Sequence, residues 1–356
     1  FARYGPRYRW FATGAVMLGT VSAMLTTTTV NVAIPDIMGA FGIGQDRAQW
    51  LSTGALAGMT VGMLLNAWLM GSFGQRKTFV GALCVFVTAL FIAGLSPNEN
   101  VLIISRIVQG TIAGILQPLS MYTLFRVFPP DQRGTAMGFF GMSVILGPAL
   151  GPTLGGIMID SFNWRYIFYI AMPISATGIL LGNLFLPERE DAGARPGFDW
   201  TGFTLLAASV ACFLTGLSNG QREGWYSDYI LALLAIAAAG TISFVVWELT
   251  IAQPLVNLRV FASVQFTSAA AVASILGAAL FGSTYLVPLF VQTVQHYTPL
   301  AAGLLLMPAG LIMGIVMPIG GYLSDRIPAR GMIIVGILFL GASSFWLASV
   351  DANMPF

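Results

Sequence analysis

The sequence predicts an all-α, polytopic membrane protein, and three observations predict it. Charged residues make up 8% of the 356-residue chain and hydrophobic residues 56%, where a soluble domain carries roughly 25% charged residues. One core could not hide that much apolar surface from water, so the solvent is lipid. Apolar runs of about 20 residues, long enough to cross a bilayer as a helix, recur along the whole chain. Lys and Arg between those runs alternate from dense to sparse, as the positive-inside bias requires.

The runs predict eleven spans, each bounded by polar or helix-breaking residues. The first, 11–35, is too long for the apolar core of a secretion signal and is followed by further spans. The second, 48–70, stops at Gly71-Ser72-Phe73-Gly74, and the third, 78–96, at Ser96-Pro97-Asn98. The fourth, 100–124, precedes Pro129-Pro130-Asp131; the fifth and sixth are 134–159 and 165–186, the latter closed by Pro187-Glu188. The seventh, 199–218, ends at Asn219-Gly220, and the eighth is 227–249. The ninth, 265–294, reads either as one long tilted helix or as a helix broken near Gly282 or Pro288. The tenth and eleventh, 299–323 and 331–350, flank a loop containing Pro328. With the N-terminus in the cytoplasm, Arg47, Arg165 and Arg222 are the only basic residues outside, Arg106 lies within a span, and the other twelve of 16 Lys and Arg fall inside. A chain that begins at Phe1 and ends at Phe356 after an odd number of spans is expected to be an excerpt, with further C-terminal helices to follow.

Composition also excludes classes. A net charge of +2 gives no reason to expect nucleic acid. His296 is the only histidine, and Cys84 and Cys212 both sit in apolar runs, where cysteine packs. No metal cluster, cofactor site, paired acids or Ser/His arrangement is visible, so an enzyme is not expected.

Within the fifth span, Gly147, Gly151 and Gly155, followed by Gly156, recur on one helix face, and Pro148 and Pro152 interrupt the same helix. Small residues let a neighbouring helix approach closely in lipid, and interior prolines bend a helix. The face reads as a sliding surface between moving parts; ordinary helix packing is the alternative. Arg106 stands in the fourth span, about 8 Å from its outer end at 1.5 Å per residue. Intramembrane arginines are functional by default, and snorkelling to the interface is the alternative. Thr26, Thr29 and Asn31 put polar groups in the first span, to line a cavity or to bond back onto the preceding turn. Gln109, Gln117 and Tyr122 share the helix of Arg106, and Phe281, Tyr285 and Gln292 lie in the ninth span. Aromatics and a few amides suit bulky amphipathic molecules. Asp36 and Asp160, near the outer surface, are the candidate proton carriers if a water-filled cavity reaches them; the alternatives are that both are solvated helix ends and that the carrier lies in further helices. Finally, Ala67–Arg76 and Gly321–Arg330 align, with Trp68/Tyr322, Leu69/Leu323 and Arg76/Arg330 matched and Gly71 opposite Asp325. Such a repeat is what two related bundles leave in a sequence. It marks Arg76 and Lys77, and the network of Asp325, Arg326 and Arg330, as inside gate loops.

Taken jointly, these motifs resemble the major facilitator superfamily, in particular the fourteen-helix drug:proton antiporters of the EmrB/QacA type. Gly147-Pro148 through Gly156 is similar to the antiporter motif of the fifth helix, and Arg106-Ile-Val-Gln109-Gly110 to the fourth-helix motif. Asn31-Val-Ala-Ile-Pro35, Asn163-Trp164-Arg165, Pro254-Leu-Val-Asn-Leu-Arg-Val-Phe261 and Tyr297-Thr-Pro-Leu-Ala-Ala-Gly303 match further segments. Two positions depart from the family pattern: Thr26 follows Leu25, and Gly71 stands in the first inside loop, where the family usually has Asp. The resemblance implies two pseudo-symmetric six-helix bundles plus two extra helices: 1–187 as the first bundle, 188–260 as the extra pair with linkers, and 261–356 as an incomplete second bundle. It implies an inner-membrane exporter with its N-terminus in the cytoplasm, moving hydrophobic or amphipathic substrates in exchange for protons. It assigns Arg106 to governing a carboxylate's protonation. In Gram-negative relatives the implied partners include a periplasmic adaptor and an outer-membrane channel. A lipid or fatty-acid transporter without a first-helix carboxylate, and a membrane sensor that transports nothing, are the alternatives.

Overall fold

The computed structural model describes residues 5–188, 197–252, 254–293 and 299–348. Helices stand at all eleven expected places: α1 (Tyr8–Phe41), α2 (Gln45–Ala48), α3 (Trp50–Phe73), α4 (Gln75–Gly94), α5 (Glu99–Val127), α6 (Arg133–Ser161), α7 (Tyr166–Tyr169), α8 (Ala171–Phe185), α9 (Trp200–Glu223), α10 (Asp228–Thr250), α11 (Val264–Thr293), α12 (Pro299–Ser324) and α13 (Ala329–Ala348). The short α2 leads into α3, and α7 with α8 makes one crossing. Among the described residues nine helices are long and apolar enough to cross a membrane, and the shorter apolar stretches Val264–Ala279 and Arg330–Trp346 lie in α11 and α13. The ninth span is one uninterrupted helix.

The boundaries follow from capping. Asn98 opens α5 by accepting from the Val101 N–H at 3.0 Å, and Asp199 opens α9 by accepting from Gly202 N at 2.9 Å. Both side chains answer amides that a helix start leaves unpaired. The first span outruns its expected end, continuing through Pro35 to Phe41. A membrane helix tolerates an interior proline because surrounding groups satisfy the freed carbonyl. Gly42, at φ 65°, then takes the left-handed conformation that ends α1.

Lipid tails are as apolar as leucine, so helices associate by close packing rather than by escape from water. Glycines supply it here. Between α3 and α5, a Cβ at Gly62 would lie 2.0 Å from the Thr111 carbonyl oxygen, and one at Gly110 would lie 1.9 Å from that of Ala55. Phe79 of α4 fills the space left by Gly19 of α1 and Gly182 of α8. Around α1 gather α5, α6 and α8, with α4 against α5 and α8. The α9–α10 hairpin leans on α3. Of the later helices, α12 lies along α6, and α11 contacts α12. The starts of α1 and α6 share one end of the molecule, where Arg9 Nη1 donates to Gln132 Oε1 at 2.9 Å. This is the near end. At the far end Arg165 Nη2 donates to the Ser96 carbonyl at 3.1 Å.

Candidate functional site: a buried arginine and a two-faced helix

Arg106 of α5 is 1% exposed and points into the protein. The snorkelling alternative therefore does not describe it. Its Nε donates to the Leu51 carbonyl at 3.1 Å, and its Nη1 to the Thr26 carbonyl at 3.2 Å and to Gln109 Oε1 at 2.8 Å. Gln109 Nε2 in turn donates to the Ala89 carbonyl at 3.2 Å. One guanidinium and one amide thus tie α5 to α1, α3 and α4. Taking a cation out of water costs several kcal/mol unless hydrogen bonds replace its hydration. Nη2 is buried with no partner, and among the described residues Arg106 makes no ion pair. The candidate carriers Asp36 and Asp160 are exposed at the far ends of α1 and α6, and neither is bonded to Arg106.

The polar residues expected along the cavity separate. Thr26 and Thr29 are buried and turn their hydroxyls back onto α1, to Ala23 O at 2.9 Å and Leu25 O at 3.0 Å. Those bonds occupy the hydroxyls within the helix, the alternative noted for threonine in spans. Asn31 is exposed and accepts from Ser52 Oγ at 2.7 Å. Gln117 is half-buried, with Nε2 3.4 Å from Met24 Sδ, and Tyr122 is exposed beside Arg126. The side chains of Phe281, Tyr285 and Gln292 lie outside the described residues.

The glycine ladder of α6 meets α1. A Cβ at Gly147 would lie 2.5 Å from Met24 Cβ and 2.6 Å from Leu25 N; at Gly151, 2.1 Å from Thr28 Oγ1; at Gly155, 3.2 Å from the Thr29 carbonyl. Gly156 is buried beside Gly155, and Pro148 and Pro152, half-buried, alternate with the ladder. The ladder expected to form the contact between moving parts thus packs on α1. A second contact of small residues lies on the other side of α6, against α12, and of its residues the sequence reading names only Gly321. A Cβ at Gly138 would lie 2.6 Å from the Met317 carbonyl, one at Gly321 2.3 Å from the Gly134 carbonyl, and one at Gly310 2.1 Å from Ala149 Cβ. Gly147 and Ala149 are two residues apart on a turn of about 3.6 residues, so they face nearly opposite ways. The signal was present: Gly134/Gly138 and Gly310/Gly314 are small-xxx-small pairs on two helices.

At its near end this seam is fastened by Asp325, in the turn after α12. Gly134 N donates to Oδ1 at 2.6 Å, and Thr135 N and Thr135 Oγ1 donate to Oδ2 at 2.8 and 2.6 Å. Gln132 gives α6 no side-chain cap of its own, so a carboxylate from another helix satisfies the free amides and complements the dipole. Burial pushes the Asp325 carboxyl up, but the bonds from Thr135 and Gly134 outweigh it and hold the group below its usual range. The expected charge network is corrected as well. Among the described residues Asp325 pairs with neither Arg326 nor Arg330; Arg326 lies 4.4 Å over the Tyr322 ring, and Arg330 is exposed. In the related loop Arg76 stays with its own helices, donating to the Leu186 carbonyl at 3.0 Å and to Glu188, while Lys77 is exposed.

This helix order and packing can be set beside known proteins. The family model described as Major Facilitator Superfamily matches residues 16–355. The chain belongs to the Major Facilitator Superfamily. It is a multi-pass membrane protein of that superfamily's fold. Among superfamily relatives, Multidrug export protein EmrB of Escherichia coli (strain K12) is 33% identical over 96% of this chain and 67% of its own length. Uncharacterized MFS-type transporter YhcA of Bacillus subtilis (strain 168) is 33% identical over 96% of this chain and 64% of its own. Fatty acid resistance protein FarB of Neisseria gonorrhoeae is 32% identical over 95% and 67%. The chain thus spans about two thirds of the length of these curated relatives. A solved structure, the peptide transporter POT in complex with sulfate, superposes with a TM-score of 0.59 at 16% identity, covering 91% of this chain and 70% of the other. That likeness concerns the fold.

Proposed function

We propose that this chain is the transport body of an inner-membrane exporter that moves hydrophobic or amphipathic compounds outward by alternating access, driven by protons. Residues 1–187 and 261–356 belong to the two moving bodies, and 188–260 to the extra helices. The near end faces the cytoplasm, as the Lys and Arg distribution favours. The observation that carries this reading is the seam: α12 lies along α6 through glycines, with Asp325 fastening its near end. A contact of small residues with one polar catch suits two bodies that rock about a midplane site. The names of the EmrB relatives supply the kind of cargo. Arg106 holds the fixed positive charge of the first body and governs the protonation of an acid that comes near it. Where the cell has an outer membrane, an adaptor and an outer channel complete the route.

Counterflow with the full-length protein in liposomes, under an imposed pH gradient, tests this. A cationic dye should move with the gradient; dye movement indifferent to it removes proton antiport. A second reading, export of fatty acids, is favoured by the relative named FarB and by Thr26 where the resemblance expects Asp. It requires that a fatty acid move and the dye not. Arg106→Lys keeps the charge but loses the planar donor set. It should lower transport at least about tenfold with the melting temperature retained, and unchanged transport would return Arg106 to a packing role.

A further inference from the structure

Away from the seam, the extra hairpin carries two buried acids. Asp199, at the start of α9, is 8% exposed, and Glu248, near the end of α10, is 3% exposed. Three of their four oxygens have identifiable surroundings. Asp199 Oδ1 accepts from Gly202 N at 2.9 Å and from the Trp247 indole N–H at 3.0 Å, and Oδ2 lies 3.1 Å from the same indole nitrogen. Glu248 Oε2 accepts from Val256 N, in the segment that leads on to α11, at 3.1 Å. Glu248 Oε1 is buried without a hydrogen-bond partner. It faces Asp199: a Cβ at Gly202 would lie 2.3 Å from Asp199 Oδ2 and 2.6 Å from Glu248 Oε1. Among the described residues neither acid forms an ion pair. Arg259, on the turn packed against α10, gives its Nη2 to the Leu249 carbonyl at 3.4 Å. The sequence of α3, which packs on α9, contains no charged residue and presents Trp68 to Phe198.

Two adjacent carboxylates out of water cannot both hold a full charge cheaply. We propose that Asp199 and Glu248 form a proton-binding site, with one proton held between Glu248 Oε1 and Asp199 Oδ2 at neutral pH. The proton satisfies the orphaned oxygen and removes the repulsion in one step. While the proton is bound, Glu248 holds Val256 on its other oxygen, and the hairpin end and the segment behind it are clasped together. When the proton leaves as pH rises, the two oxygens repel and the clasp loosens. The site lies outside the residues through which export is proposed and does not depend on that reading.

Infrared spectroscopy of the full-length protein tests it. At about pH 7 the unmodified protein should show a protonated-carboxyl band that shifts in heavy water and disappears as the pH is raised. Absence of that band overturns the proposal without any variant. Glu248→Gln and Asp199→Asn should each remove one carboxyl's worth of intensity, and the double variant no more than either, because the proton is shared. Additive losses, or none, overturn it. Melting temperature gives an independent readout. The unmodified protein should lose stability as pH rises above the ordinary carboxyl value of about 4.3 and stop losing it once the proton has left, while Glu248→Gln, which keeps a donor facing Asp199, should not. Stabilisation by added sodium or potassium with no protonated band would mean a cation site instead, and would also overturn the proposal.

Discussion

On one side of α6, Gly147, Gly151 and Gly155 press on Met24, Leu25, Thr28 and Thr29 of α1; on the other, Gly134, Gly138 and Ala149 press on α12. Both faces are lined by small residues, and both bring backbones together. They differ in what surrounds them. The α1 face is enclosed, since α1 is also held by α5 and α8, and Ser22 of α1 bonds Ser175 of α8 at 2.6 Å. Across the α12 face the described hydrogen bonds concentrate on one carboxylate, Asp325. Under the proposed function the first face is a fixed joint and the second a moving one, and close glycine packing alone does not distinguish them.

Valine substitutions at the two faces should give the largest and most informative effects. Gly147→Val overpacks an enclosed contact and should cost about 1–3 kcal/mol, read as a lower melting temperature and less folded protein. Gly138→Val meets the backbone of Met317 and Pro318. It should hold the near end open and cut counterflow per folded molecule more than about tenfold, a barrier of 1.4 kcal/mol, with a smaller change in melting temperature. Equal melting shifts in the two variants would break the comparison.

Asp325→Asn sharpens it. The change keeps the shape but removes the charge from bonds of about 1.5–3 kcal/mol, so the open population at the near end should rise about tenfold, measured by spin-label distances. The same residue sets a pH window. Its carboxyl is held below the usual range, so the catch contributes fully above the ordinary aspartate value of about 3.9 and fades only as pH falls through the lower folded value. The difference in melting temperature between Asp325→Asn and the unmodified protein should be constant near neutrality and shrink only in acid. A difference that shrinks already near pH 6 contradicts the assignment. Arg76→Gln should have the smallest effect: its partner Glu188 is exposed, and such pairs are worth about 0–1 kcal/mol.

How much of this could be read from the chain depends on range. Helix ends were legible because Pro, Gly and capping residues act locally; the exceptions are α1 past Pro35, where neighbouring helices override a local break, and α9, which runs through Asn219 and Gly220 to Glu223. The inward place of Arg106 was legible from the cost of a charge in lipid. The partner of the glycine ladder was not, since a four-residue repeat announces close approach without saying to which helix. Asp325 stood out by its alignment with Gly71, but its use as a cap for α6 depends on a fold that brings residues 134 and 325 together. Asp199 was overlooked because an acid at a helix start is ordinary, and its burial against Glu248 arises only from the hairpin.

The most direct test of the seam is a pair of distances in the full-length protein during turnover, by electron spin resonance. Labels at the exposed residues Arg133 of α6 and Arg330 of α13 should show two populations whose ratio changes with substrate and pH gradient. Labels at exposed Asp36 of α1 and Asp160 of α6 should stay at one distance throughout. A fixed first pair, or a second pair that moves with it, would contradict the account.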